Sequence, residues 1–132
     1  MLRRVRYLAP ALALLILVGC GEQGPTPEEQ VRATVTDFGR ATAAKDYTAL
    51  CDRILAPTLV EEVESIGLPC ERAMEQGLGE VEDPRLTIGR IEVREDEATA
   101  EVRTSAAGEE PSQDTLRLVN LDGAWKISSL GT

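Results

Sequence analysis

The chain has 132 residues and a formal net charge of −9, from 23 acidic and 14 basic side chains, and it contains no histidine. An acidic surface of this kind repels phosphate backbones and anionic lipid headgroups, so the composition argues against a nucleic-acid-binding protein. The lack of histidine removes the side chain that most often serves as a base at neutral pH.

The first nineteen residues have the pattern of a secretory signal. Three arginines within residues 3–6 precede an almost unbroken apolar run that extends to Val18. A membrane-spanning helix needs about 20 apolar residues, whereas this run is shorter and is interrupted by Pro10. We therefore interpret residues 1–19 as a signal segment that is removed, and not as part of the mature fold.

The end of this segment, Leu17-Val18-Gly19-Cys20, resembles the lipobox of bacterial lipoproteins. A plain cleaved signal is the alternative, but it would end in an Ala-x-Ala-like site, which is absent here. The resemblance implies a lipid anchor, a diacylglyceryl group on Cys20, that holds the protein on the outer, extracytoplasmic face of the bacterial cell membrane. Residues 20–26 would then be the lipidated cysteine and a polar tether.

The mature chain predicted in this way, from Cys20 to Thr132, has 113 residues, which is enough for one domain and too few for two. Removing three of the 14 basic residues while keeping all 23 acidic ones changes the net charge to −12. We expect a single domain over residues 27–132, standing off the membrane surface.

The N-terminal half of this domain has helical periodicity. Thr26, Pro27 and Glu29 predict a capping box at the start of a helix that extends to about Lys45. Asp46 can cap a second helix. The face of the first helix expected to be buried carries Val31, Val35, Phe38 and Thr42.

Two further short helices are predicted after Pro57. One covers residues 58–65 and would bury Leu59, Val63 and Ile66. The next begins at Pro69. None of these helices is long enough to be stable alone, so each needs a sheet to pack on.

From residue 85 the apolar period changes from 3.6 to 2, which indicates β-strands. An extra residue at Gly89 predicts a β-bulge in the first strand. Asp122-Gly123 predicts a tight hairpin before a last strand that carries Trp125 and Ile127. The predicted fold class is α+β, with N-terminal short helices packed on a curved, cone-like, four-stranded antiparallel sheet.

The order of elements resembles the SnoaL-like, nuclear transport factor 2-like cone fold. In that fold, as predicted here, helices come first, and a curved antiparallel sheet follows. The sheet here would close on the strand Gly123-Ala124-Trp125-Lys126-Ile127. The resemblance covers roughly residues 27–130. It implies that the helices cover one side of the curved sheet and leave a cavity between the two layers. A cystatin-like fold is the alternative, and the four helical segments disfavour it.

The family includes ketosteroid isomerases, dehydratases and epoxide hydrolases, whose members use a His or Asp base inside the cone. Asp37 and Asp52 fall off the apolar helix faces, whereas Glu92 and Glu101 alternate outward on their strands. Glu62 lies near the edge of its helix face. We therefore expect no catalytic residue, no cofactor and no enzymatic activity, since a fold does not imply a function.

With Cys20 lipidated, Cys51 and Cys70 are the remaining cysteines. A structural zinc site takes four ligands, so two cysteines without histidine do not predict a metal site. Both lie on apolar faces of neighbouring helices in an oxidising compartment. We expect a disulfide between them rather than two buried thiols.

Two functions remain open. The first is a membrane-anchored, non-catalytic binding or interaction module for a small apolar ligand or a protein partner. The alternative is a cone-fold enzyme of isomerase, dehydratase or hydrolase type that uses a carboxylate, and an ionisable side chain in the cavity would distinguish it. A third arrangement is a filled core with function on the surface. The predicted pocket lining comprises Val31, Val35, Phe38, Tyr47, Ile54, Val102, Leu116, Trp125 and Ile127, with hydroxyls from Thr42 or Thr104.

Overall fold

The computed structural model describes Gly19, Gly21 and residues 24–131. The predicted signal segment, except for Gly19, and the predicted lipidation residue Cys20 lie outside the described residues. Helical segments precede a sheet. They are α1 (Pro27–Ala44), α2 (Tyr47–Ala49), a π-helical turn (Leu50–Ile54), α3 (Pro57–Glu64) and α4 (Cys70–Leu78), followed by β1 (Arg85–Arg94), β2 (Glu97–Ser105), β3 (Ser112–Leu121) and β4 (Ala124–Ser129).

The predicted capping box at the start of α1 is confirmed. The Thr26 hydroxyl accepts a hydrogen bond from the Glu29 backbone N–H at 3.2 Å, and the Glu29 carboxylate accepts one from the Thr26 N–H at 2.7 Å. The helix ends where Lys45 adopts a left-handed conformation with φ of 55°. The Lys45 ammonium then donates to the Gly79 carbonyl at 2.6 Å, which ties this end of α1 to the end of α4.

Asp46 caps α2 as predicted, since its carboxylate accepts from the Ala49 N–H at 3.0 Å. The chain then widens into the π-helical turn, which the Leu55 N–H closes by donating to the Leu50 carbonyl at 2.9 Å. Leu55 leaves this turn in an extended conformation and forms an isolated parallel bridge with Ile127. This bridge covers part of the free edge of β4.

The sheet is an antiparallel meander in the order β1-β2-β3-β4. Ile88 lies opposite Val102 and Ile91 lies opposite Ala100, so two residues of β1, one of them Gly89, face a single residue of β2. The predicted bulge is therefore confirmed. The bulge keeps the apolar residues before and after Gly89 on the same, inner face of the sheet. It does so although the apolar and polar positions exchange places in the alternation at Gly89.

The predicted hairpin between β3 and β4 is also confirmed. Asp122 and Gly123 both have positive φ, 53° and 90°, which is the signature of the tight turn that matches the twist of the flanking strands. The strand after it places Trp125 and Ile127 in the core, where Trp125 is 5 % exposed. The position predicted for Trp125, against the helices, is thus correct.

The core lies between the helices and the inner face of the sheet, and its buried residues run from Val31 to Ile127. The prediction that Ile66 is buried is wrong, and Gly77, predicted to face inward on its helix, is also exposed. Ile66 is 70 % exposed, because α3 ends at Glu64 and the helical period no longer applies in the turn that leads to Gly67. In the described part of the chain, no helix is long and apolar enough to cross a membrane.

The predicted disulfide is present. Cys51 in the π-helical turn is bonded to Cys70 at the start of α4, with the two Cα atoms 6.0 Å apart. Cys70 is buried and Cys51 is half-buried. The bridge fixes α4 against the middle of the helical layer.

Candidate functional site

A cavity of about 260 Å³ lies where the C-terminal half of α1 faces β1, β2 and β3. Ligand pockets for drug-sized molecules usually have roughly 300–1,000 Å³, so this cavity suits a smaller molecule. The cavity is formed by α1, the end of α4, the chain that leads into β1, the three strands and the C-terminal segment. Its lining residues are Phe38, Gly39, Thr42, Leu78, Val81, Pro84, Arg85, Leu86, Val102, Thr104, Ser105, Ala106, Glu109, Glu110, Ser112, Asp114, Leu116 and Leu130.

Apolar side chains form the inner part of the cavity. Val102 and Leu116 are buried on neighbouring strands, and both point inward because side chains alternate with period 2. Phe38 of α1 and Leu86 of β1 are half-buried against this core. A Cβ atom at Gly39 would lie 3.3 Å from the Leu86 Cβ, so glycine at this position allows α1 to approach β1 closely.

A chain of hydrogen bonds runs along the sheet side of the cavity. Thr104 lies opposite Ser112 in the β2–β3 register, and their hydroxyl oxygens are 2.8 Å apart. The Ser112 hydroxyl donates to the Asp114 carboxylate at 3.1 Å, so its oxygen accepts a hydrogen bond from the Thr104 hydroxyl. Asp114 lies opposite Val102, which places it on the inner face of the sheet, half-buried. The cavity thus contains an oriented carboxylate.

Carboxylates outnumber cations around the cavity. Glu109 and Glu110, in the loop between β2 and β3, are exposed at its mouth, and Asp114 lies further in. Arg85 is the cationic side chain of the lining. None of these four side chains takes part in the ion pairs found within residues 24–131. The lining therefore carries a net charge of −2, unneutralised by close pairs.

The structure brings only part of the predicted pocket to this cavity. Phe38, Val102 and Leu116 line it, together with the predicted hydroxyls of Thr42 and Thr104. The other six residues lie outside its lining. They are Val31, Val35, Tyr47, Ile54, Trp125 and Ile127.

Five of these six fill the core, with Tyr47 the exception. The reason is the close approach of the N-terminal half of α1 to β4, where the Thr34 hydroxyl donates to the Trp125 carbonyl at 3.1 Å. No space for a ligand remains between these two elements, and Val31 and Val35 are fully buried there. The open space lies instead around Phe38, further along α1.

Tyr47 is half-buried in the helical layer, beside the disulfide and α4. Its hydroxyl is buried without a hydrogen-bond partner in the described part of the chain, and the same holds for the indole N–H of Trp125. Neither atom belongs to a residue that lines the cavity.

The sequence prediction missed Asp114, Ser112 and the two glutamates of the loop. A signal for Asp114 was present, because a residue two positions before inward-facing Leu116 shares its face in a strand. Ser112 lies two positions before Asp114, so the same strand period places it on that face as well. The glutamates have no such signal, since only the path of the loop places them at the cavity.

Within the described residues, no group of three or more His, Cys, Asp or Glu side chains is arranged to hold a metal ion.

Solved structures share this fold, among them a natural protein and a designed one. A protein of unknown function from Silicibacter pomeroyi DSS-3, described as NTF-2 like, superposes with a TM-score of 0.53 at 21 % identity, over 76 % of this chain and 88 % of that one. The fold is nuclear transport factor 2-like. A de novo designed NTF2 fold protein, NT-9, superposes with a TM-score of 0.54 at 16 % identity, over 80 % of this chain and 87 % of that one. The NTF2-like fold predicted from the sequence is confirmed, although no family's sequence profile and no curated protein matches the chain.

Proposed function

We propose that this NTF2-like domain is a non-catalytic binding module that holds a small, largely apolar ligand in the cavity between α1 and the first three strands. The observation that carries the proposal is the composition of that cavity. It combines an apolar inner part around Phe38, Val102 and Leu116 with a few convergent polar groups, which is the usual composition of a small-molecule site. The Thr104–Ser112–Asp114 chain would orient the ligand.

We further propose that the domain is tethered to the outer face of the bacterial cell membrane through a lipid on Cys20. The support is the lipobox-like sequence that ends at Cys20, together with the apolar run before it. The Cys51–Cys70 disulfide agrees with this location, because disulfides persist in extracytoplasmic compartments.

Native mass spectrometry of residues 24–132, exported by the host behind a cleavable secretion signal and then purified, tests the binding function. These residues contain every buried residue of the core, from Val31 to Ile127, and so include the complete fold. The wild-type protein should retain a small molecule. T104F, which places an aromatic ring at the inner face, should lose this molecule, whereas the control T87F should keep it, because Thr87 is exposed on the opposite face of β1.

Thermal denaturation of both variants establishes that they are folded. A molecule that T104F retains as well as the wild type does would place the site elsewhere. A wild-type protein that retains nothing and binds no apolar fluorescent probe would refute the binding function.

One observation favours a second candidate, an enzyme that uses a carboxylate base. Asp114 is an ionisable side chain on the lining of the cavity, and a general base must lie within hydrogen-bond reach of the substrate proton that it abstracts. The test is to incubate the retained molecule with the wild-type protein and with D114N, and to follow its mass and isomeric form. Conversion by the wild type but not by D114N would replace the non-catalytic proposal.

A further inference from the structure

We propose that the ligand of this cavity is an amphipathic cation, with a small apolar body and a protonated amine or quaternary ammonium group at one end. This inference rests on the proposed binding function and specifies the chemical class of its ligand. The apolar body would lie against Phe38, Leu86 and Leu116, and the cationic group would lie between Asp114 and the two glutamates of the β2–β3 loop.

The size of the cavity sets the size of the ligand. A water molecule occupies about 30 Å³ of liquid, so a cavity of about 260 Å³ corresponds to roughly nine waters. An alkyl chain or single ring with about ten non-hydrogen atoms fits this space. Leu130 lies on the lining and is 38 % exposed, so an apolar ligand would also remove part of its surface from water.

The charged side chains of the cavity lining determine which charge the polar end of the ligand should carry. Three carboxylates and one guanidinium line the cavity, and within the described residues no close ion pair neutralises any of them. Asp114 is half-buried and accepts a hydrogen bond from the exposed Ser112 hydroxyl, so it presents an oriented carboxylate to the cavity. The net charge of the whole chain, −9, adds a long-range attraction for cations.

Other ligand classes fit these features less well. A phosphate or carboxylate ligand would meet three carboxylates and a single cation, Arg85, on the described lining. A metal ion needs several converging ligands, and no such cluster is present among the described residues. A neutral amphiphile would fit the apolar part and would donate a hydrogen bond to Asp114, but it carries no charge for the carboxylates to attract, and titration with matched probes distinguishes it.

Calorimetric titration of residues 24–132 with octylamine, octanol and octanoate tests the charge preference, because these probes share one alkyl chain. An alkylamine is protonated at pH 7, as a lysine side chain is. We expect octylamine to bind about tenfold more tightly than octanol, because only its ammonium adds a Coulomb attraction to the hydrogen bond that either head group would donate to Asp114. Octanoate should bind most weakly, and added salt should weaken octylamine binding.

Charge-neutralising variants locate the effect. D114N should weaken octylamine binding by about tenfold and weaken octanol binding less, because octanol loses no attraction between opposite charges. E109Q/E110Q should weaken octylamine binding about two- to fivefold, as expected for exposed pairs. The matched control is E61Q/E62Q, which removes the same charge from two adjacent exposed residues of α3, outside the cavity. This control should change binding little.

Each outcome decides one claim. If octanol binds as tightly as octylamine and neither D114N nor E109Q/E110Q changes the binding of octylamine, the cation proposal is wrong while the binding function stands. If E61Q/E62Q weakens binding as much as E109Q/E110Q, the attraction is a property of the whole surface and the local site is refuted. If none of the three probes binds the wild type, both the cation proposal and the cavity as the ligand site are overturned. E109Q/E110Q lies in an exposed loop, so it tests the proposal even if D114N fails to fold.

Discussion

Loss of the Cys51–Cys70 disulfide should lower the free energy of unfolding by about 3 kcal/mol. The bridge connects residues 19 apart in sequence, so in the unfolded chain it closes a loop of about 20 residues. The chain-entropy relation gives about 11 cal/mol/K for that loop, or about 3.3 kcal/mol at 25 °C. A domain of this size has a total stability of about 5–15 kcal/mol, so the bridge contributes a large fraction.

The cross-link can be separated from the packing of the two sulfur atoms. Reduced wild-type protein keeps both side chains and loses only the bond, whereas C51A/C70A also loses the buried sulfur of Cys70. Urea denaturation of the oxidised protein, the reduced protein and the double variant gives the contribution of the cross-link and the contribution of sulfur packing to the free energy of unfolding. The reduced protein should melt about 10–20 °C lower than the oxidised one.

The denaturant slope offers a second measurement. Without the bridge the unfolded chain is more open, so the slope should increase when the disulfide is lost. If the reduced and oxidised proteins differ by less than about 0.5 kcal/mol with equal slopes, the unfolded-state account of this bridge is wrong. If only C51A/C70A is destabilised, the contribution comes from packing around Cys70.

Three further predictions concern the core, a cap and the anchor. Trp125→Ala should lower the free energy of unfolding by about 3–5 kcal/mol, because the side chain is 5 % exposed; Leu121→Ala, at a position that is 40 % exposed, should cost much less in the same urea titration. Asp46→Ala should cost about 1 kcal/mol because the Ala49 N–H loses its acceptor, whereas Asp46→Asn should restore most of the stability. Cys20→Ser should abolish metabolic labelling with a fatty-acid analogue, and labelling that persists would contradict lipidation at this residue.

The features that were predictable from the sequence are those set by local interactions. The capping box of Thr26 and Glu29, the cap at Asp46 and the turn at Asp122-Gly123 each depend on residues within three positions of one another. The bulge at Gly89 is visible because the apolar alternation changes phase there. In these places the local sequence and the whole fold favour the same conformation.

The π-helical turn could not be predicted in this way. Leu50, Ile54 and Leu55 have apolar spacing that fits an ordinary α-helix, and all three are buried. The wider turn accompanies two distant contacts, the pairing of Leu55 with Ile127 and the bridge from Cys51 to Cys70. Such contacts between segments far apart in sequence leave no local pattern.

The position of the cavity depends on the distance between layers, which periodicity does not report. Val35 and Phe38 lie on the same predicted face of α1, yet Val35 is fully buried in the core and Phe38 lines the cavity. The helix contacts β4 through Thr34 and approaches β1 at Gly39. The cavity is the space between the layers that these two contacts leave open. Sequence periodicity therefore identified inward-facing residues and could not separate core from pocket.

The same electrostatics bear on both candidate functions of the cavity. A proton abstracted by Asp114 would leave negative charge on the substrate, and Glu109 and Glu110 on the described lining would repel this charge. Arg85 is the lining cation that could oppose this repulsion. The proposed cationic ligand, in contrast, would be attracted by the net charge of −2 that the described lining carries. The arrangement that favours a cationic ligand therefore disfavours an anionic intermediate, and this is the physical reason to prefer a binding role over carboxylate catalysis.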